Sequence, residues 1–144
     1  MYASVKDLQL RLGIVYADLY AESFEAAVPD NTLPESDLAA AAAEIDGTLG
    51  VRYKLPITSA AASALLKNWC VTLAEELAWA RSGKVETPAN VKDRVAQVRK
   101  SLERMAEGTM LLPGAVQSAH SGGSSVVTVE GNDVVFGRNK MKGY

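Results

Sequence analysis

Two side chains that can serve as nucleophile or base near neutral pH occur once each, His120 and Cys70. His120 lies in a Gly/Ser-rich stretch with no acid or nucleophile at a spacing that would build a proton relay, the setting of a solvated loop histidine. Cys70 follows Trp69 in an apolar run, where a thiol acts as a small buried hydrophobe; a reactive thiolate needs an electropositive, partly exposed setting. Glu75 and Glu76 are adjacent, so on a helix they point about 100° apart and cannot face each other as hydrolytic carboxylates do. They are expected on a solvated helix edge. Ser121-Gly122-Gly123-Ser124-Ser125 lacks the lysine and the following helix of a phosphate-binding loop. Trp69 and Trp79 fall on nearly one face of a single helix and are expected in core or subunit packing rather than as a platform for bases. The inventory therefore yields no catalytic residue, no cofactor site and no metal site, and the chain is expected not to be an enzyme.

Composition narrows the function classes further. The 144 residues suffice for one ordinary domain, and 48% hydrophobic content can fill one core. With 15 Lys+Arg against 17 Asp+Glu the formal charge is −2, so no global basic field would hold DNA by neutralising phosphates. A lone cysteine excludes an intramolecular disulfide and agrees with a reducing cytosol. The opening Met1 to Asp7 has no basic region followed by an apolar stretch, and the weakly polar run Ser59 to Leu66 is far short of the roughly 20 apolar residues of a membrane span. A soluble protein with no membrane partner is the expectation.

The elements that would carry these residues are helical. Ser4 with Asp7 forms a capping-box pattern ahead of Leu8, Leu10 and Leu12, and Gly13 is the stop. Ile14 to Val28 favours helix without defined limits, and Pro29-Asp30-Asn31 reads as a turn. A second helix, capped by Thr32 or Ser36, places Leu38, Ala41, Ala42, Ile45 and Leu49 at helical spacing, with Glu35, Asp37, Glu44 and Asp46 expected on other faces. Its alanine run admits close approach of whatever packs against it. The third and most apolar helix, Ser59 to about Ser82, presents Leu65, Leu66, Trp69, Cys70, Leu73, Leu77 and Ala80 and should be central to the core. Thr87 as N-cap with Pro88 at the first position opens a fourth helix with the stripe Val91, Val95, Val98, Leu102 and Met105, ending at Gly108. Its outer face carries Lys92, Arg94, Arg99, Lys100 and Arg104 against Asp93, Glu103 and Glu107, expected as a solvated face.

Beyond Gly108 the pattern changes. The fold class expected is mainly α: a small four-helix domain over residues 1–110, a flexible linker over 111–125 and a β-prone C-terminal tail over 126–144. Val126 to Val129 and Val134 to Phe136 flank a turn, and a lone two-stranded hairpin is marginal in water. The tail is therefore expected to dock on a partner by strand addition, through Val127, Val129, Val135, Phe136, Arg138, Lys140, Lys142 and Tyr144. Side-by-side subunit contacts are expected through Ala41 and Ala42 of the second helix and Arg94 and Arg99 of the fourth.

Three stretches carry a family resemblance. Met1-Tyr2-Ala3-Ser4-Val5-Lys6-Asp7-Leu8, the helix end Ala43-Glu44-Ile45-Asp46-Gly47-Thr48-Leu49 with the exit Arg52-Tyr53-Lys54-Leu55-Pro56, and the terminus Val135-Phe136-Gly137-Arg138-Asn139-Lys140-Met141-Lys142-Gly143-Tyr144 resemble, in this order, the Mu-like prophage neck protein family. Gly13 to Thr32 departs from that pattern in being richer in alanine. The resemblance implies a head–tail connector, a head-completion adaptor of a tailed phage. Such adaptors form a homo-oligomeric ring of about twelve copies on the portal protein and dock the next neck or tail-completion component. It implies a place in the virion neck after synthesis in the bacterial host cytoplasm, with DNA at most passing through the ring lumen. Two rival readings stand beside it. One is a tail-completion or head–tail joining protein one ring further down. The other is a small helical DNA-binding packaging or regulatory protein, kept by the net-basic fourth helix and distinguished by salt-sensitive DNA binding.

Overall fold

The computed structural model describes residues 1–21, 31–83 and 86–118. Among them are five helices, α1 (Val5–Leu12), α2 (Val15–Leu19), α3 (Thr32–Leu49), α4 (Ala60–Ser82) and α5 (Ala89–Glu107). The chain is mainly α, as expected. α2, a little over one turn, is what the described part of the stretch after Gly13 forms, and it makes five helices where four were expected.

Local chemistry accounts for the helix limits. Ser4 and Asp7 complete the capping box: the Ser4 backbone N–H donates to Asp7 Oδ2 at 2.9 Å, and the Asp7 N–H donates to Ser4 Oγ at 3.4 Å. Ser59 caps α4 by accepting from Ala62 N–H, and Gly83 ends it in the left-handed conformation. Two starts differ from expectation. α3 begins at Thr32 after Asn31 with no side-chain cap, and Pro34 in the first turn removes one of the N–H groups that a cap would serve. α5 begins at Ala89, one residue late: Pro88 is extended, and its carbonyl accepts from Val91 and Lys92 as the N-cap.

α4 is the centre, with α3, α5 and α1 packed around it. Residues Trp69 to Glu75 are consequently all buried, a continuous run that no single amphipathic stripe predicts. The most extensive seam is between α3 and α4. Leu38, Ala41, Ala42, Ile45 and Leu49 from α3 meet Ala62, Leu66, Cys70, Leu73 and Ala74 in one apolar cluster. Cys70 Sγ lies 3.6 Å from the Leu38 carbonyl oxygen, a backbone approach that the neighbouring alanines permit.

The segment after α5 corrects the expected linker over its described part. Residues 111–118 fold back onto the exit from α3: Lys54 N–H donates to Val116 O at 2.9 Å, Ser118 N–H donates to Arg52 O at 2.9 Å, and Tyr53 forms an antiparallel bridge with Gln117. Leu112 is buried in the core. Backbone pairing and an apolar anchor hold what composition alone reads as a tether.

Candidate functional site

Two surfaces concentrate the polar chemistry of the described residues. The first is the flank of α4 facing α1 and α5. Thr72 and Glu75 are buried there, with Glu75 6% exposed, so the expected solvated edge is corrected. Burial of this carboxylate is tolerable because two guanidinium groups reach it: Arg94 Nη2 donates to Oε1 at 2.9 Å and Arg11 Nε stands 3.7 Å from Oε2. Arg11 Nη2 also donates to Asn68 Oδ1 and Thr72 Oγ1, each at 3.0 Å. One turn further along α5, Arg99 bridges Glu44 of α3 and Glu76 of α4, and its bond to Glu44 holds the guanidinium pKa above its ordinary value. On the other end of α4, Arg81 donates to Asp37 Oδ1 at 2.8 Å and lies over the Tyr20 ring. The Tyr20 hydroxyl donates to Asp37 Oδ2, and burial raises its pKa. Asp37, expected to face away from the core, is thereby buried as a joint between α2, α3 and α4.

The second surface is the two-loop unit made by residues 50–59 and 109–118. Tyr53 is 2% exposed, and its hydroxyl accepts from the Leu112 N–H at 3.0 Å. The Arg52 guanidinium crosses Gly108 so closely that a Cβ there would displace it, and φ +84° by itself favours glycine at that position. Gly114 likewise gives room to Ser59 Oγ, which donates to Pro113 O. This unit exposes Val51, Leu111 and Val116 to solvent, beside a cleft of about 290 Å³ lined by residues 54–59 and 114–116.

Cys70 is fully buried, and desolvation pushes its thiol up to about 11. Among the described residues no group of three or more His, Cys, Asp or Glu could hold a metal, and no helix is long and apolar enough to cross a membrane.

The segments that resemble the neck protein family in sequence also make contacts with one another. The Tyr2 hydroxyl donates to Asp46 Oδ1, tying the opening motif to the helix-end motif, and Arg52 and Tyr53 build the two-loop unit. The profile of the family described as "Bacteriophage Mu, Gp36" matches residues 2–130. The chain belongs to this family. A curated relative, "Gene product J" of Escherichia phage Mu, is 30% identical over 146 residues, spanning 99% of this chain and 98% of that protein. The Mu Gp36 family match thus runs through both surfaces and past the last described residue.

Within this Mu-like phage protein the expected contact residues are scattered. Ala41 and Ala42 lie inside the chain's own core, 0% and 7% exposed, while Ala39, Ala40 and Ala43 of the same run are exposed. Arg94 and Arg99 remain partly exposed on one flank, each already paired within the chain. His120 and the tail residues Val127, Val129, Val135, Phe136, Arg138, Lys140, Lys142 and Tyr144 lie outside the described residues. Arg11, Asn68 and Gln97 were not singled out by sequence. The available signal was Thr72 with Glu75, two polar groups three apart in an otherwise apolar span.

Proposed function

We propose that this chain is a non-enzymatic head–tail connector of a Mu-like tailed phage. It is a neck adaptor that assembles as a ring on the portal and receives the next neck or tail component. The observation that carries the reading is the match of the phage Mu family along residues 2–130, with a full-length relative in phage Mu itself. The chemistry agrees: the ion pairs Arg81–Asp37, Arg94–Glu75 and Arg99–Glu76 link helices to one another, and the one cysteine is buried with a raised pKa. The reading places the protein in the virion neck, with the tail from residue 126 as its docking element.

The test is a nonsense mutation in the chain's reading frame in an inducible lysogen, followed by electron microscopy of the lysate. Filled heads and complete tails that fail to join, restored by supplying the chain in trans, are expected. Joined, infectious particles would overturn the proposal, and normal heads without any tails would move the protein to another stage of morphogenesis.

A further inference from the structure

The exposed large apolar side chains of the described residues concentrate in the two-loop unit, at Val51, Leu55, Met110, Leu111 and Val116, against Met1, Leu10 and Ile14 elsewhere. Leu55 and Val116 also line the cleft of about 290 Å³. Apolar side chains grouped beside a concave surface mark a place where something packs. The backbone next to them is an open edge. The bonds from Lys54 N–H to Val116 O and from Ser118 N–H to Arg52 O flank the Tyr53–Gln117 bridge, so Gln117 turns its own N–H and carbonyl away from Tyr53. Among the described residues no backbone bond reaches that edge. An exposed edge is a template for a further strand. We infer that residues 127–129 of the same chain return to this edge as a third antiparallel strand, exchanging backbone hydrogen bonds between Thr128 and Gln117 and laying Val129 beside Val116.

The residue pattern selects this register. Side chains alternate between the faces of a strand, so Val116 and Ser118 share one face and Gln117 takes the other. With Thr128 opposite Gln117, two polar side chains share a face and Val129 stands opposite Val116. A slip of one residue would set Thr128 or Glu130 against Val116 instead. The run joins an existing pair, which makes the three strands that a lone hairpin lacks. The chain's own segment is the occupant because the described structure ends at Ser118, on the edge itself. Residues 119–126, with Gly122-Gly123 among them, are ample for a reversal between strands about 4.8 Å apart. So short a tether holds the run at an effective concentration in roughly the millimolar range, ahead of a second copy. The family match also ends at Glu130, directly after the run. The pairing does not depend on the connector reading, and it narrows the docking element to the residues after 133.

The experiment uses the full chain, isotopically labelled and diluted into an excess of unlabelled chain. A nuclear Overhauser contact between the Val116 and Val129 methyl groups that survives dilution is expected. The Gln117 and Thr128 amides should exchange at least about tenfold more slowly than in an unstructured chain. Thr128→Pro, which removes the bonding N–H, should abolish the methyl contact and return Gln117 to the unstructured rate while α4 amides stay protected. A contact seen only between labelled and unlabelled chains would overturn the inference and assign the edge to a second copy. Exchange of Gln117 and Thr128 at unstructured rates would overturn it by leaving the edge open. Neither failure bears on the connector reading, which the lysogen experiment decides.

Discussion

The two sides of α4 differ in where their charges sit. Toward α3 the contact is apolar and close, with alanines at the crossing and Cys70 against backbone. Toward α1 and α5 the apolar contact made by Leu8, Leu12, Val91, Val95 and Val98 is flanked by an ionic one, in which the buried Glu75 carboxylate is held by arginines that reach out to solvent. The first side has no slack, because a packed interior transmits any added volume into strain. The second has mobile, partly hydrated partners, and the exposed ends of its charges can be rearranged. The alanine pair Ala41 and Ala42 that looked open for a neighbour is closed, and the flank that looked merely solvated holds a buried carboxylate.

Substitutions can sharpen that contrast. Ala41→Trp forces a large ring into the α3–α4 crossing and should cost roughly 3 kcal/mol, at the upper end of overpacking. Thermal unfolding should show it as loss of fold rather than selective loss of assembly; unchanged helical circular dichroism and Tm would mean that the seam is loose. Glu75→Gln keeps the shape but leaves two guanidinium groups facing each other without their anion, for about 2 kcal/mol. Added salt should reduce that difference, because both arginines reach solvent, whereas it should leave the Ala41→Trp effect unchanged.

A third change probes the two-loop unit rather than the helices. Tyr53→Phe removes the acceptor for the Leu112 amide at the cost of about 1 kcal/mol, and hydrogen exchange at Leu112 should accelerate while α4 amides stay protected. Exchange rising equally across α4 would show that the loops are inseparable from the core.

The smallest effect concerns pH. The Asp7 carboxyl, bonded first by Lys67 and then by Ser4, is held down at about 2 against an ordinary 3.8. A folded value below the unfolded one means that its contribution is present above about pH 4 and fades as pH falls toward 2. Asp7→Asn should flatten that part of the stability profile; an unchanged acid limb would assign it to other carboxylates.

Much of this architecture is legible in the residues. The capping box of α1 and the stripes of α3 and α5 follow from patterns that act within one or two turns, where the periodicity of the helix is the whole of the physics. The phage kinship is legible too, in short motifs that turn out to be structural: Tyr2 with Asp46, and Arg52 and Tyr53 against the segment after α5.

What the sequence by itself determined, then, is which segments are helical, which residues of each must be covered, and to which family the chain belongs. Only the tertiary structure decided what covers them. Glu75 reads as solvated because its helix neighbours are all that sequence displays, yet it is buried because α1 and α5 bring Arg11 and Arg94 to it from 64 residues before and 19 after. Asp37 is buried by Arg81 in the same way. Ala41 and Ala42 could as well have faced another subunit, since a small apolar face states that something packs closely and not which molecule it belongs to. Residues 111–118 contain the turn-forming Pro113-Gly114 pair like a linker, and their attachment depends on backbone groups of residues 52 and 54, whose donors and acceptors every sequence possesses and none reveals.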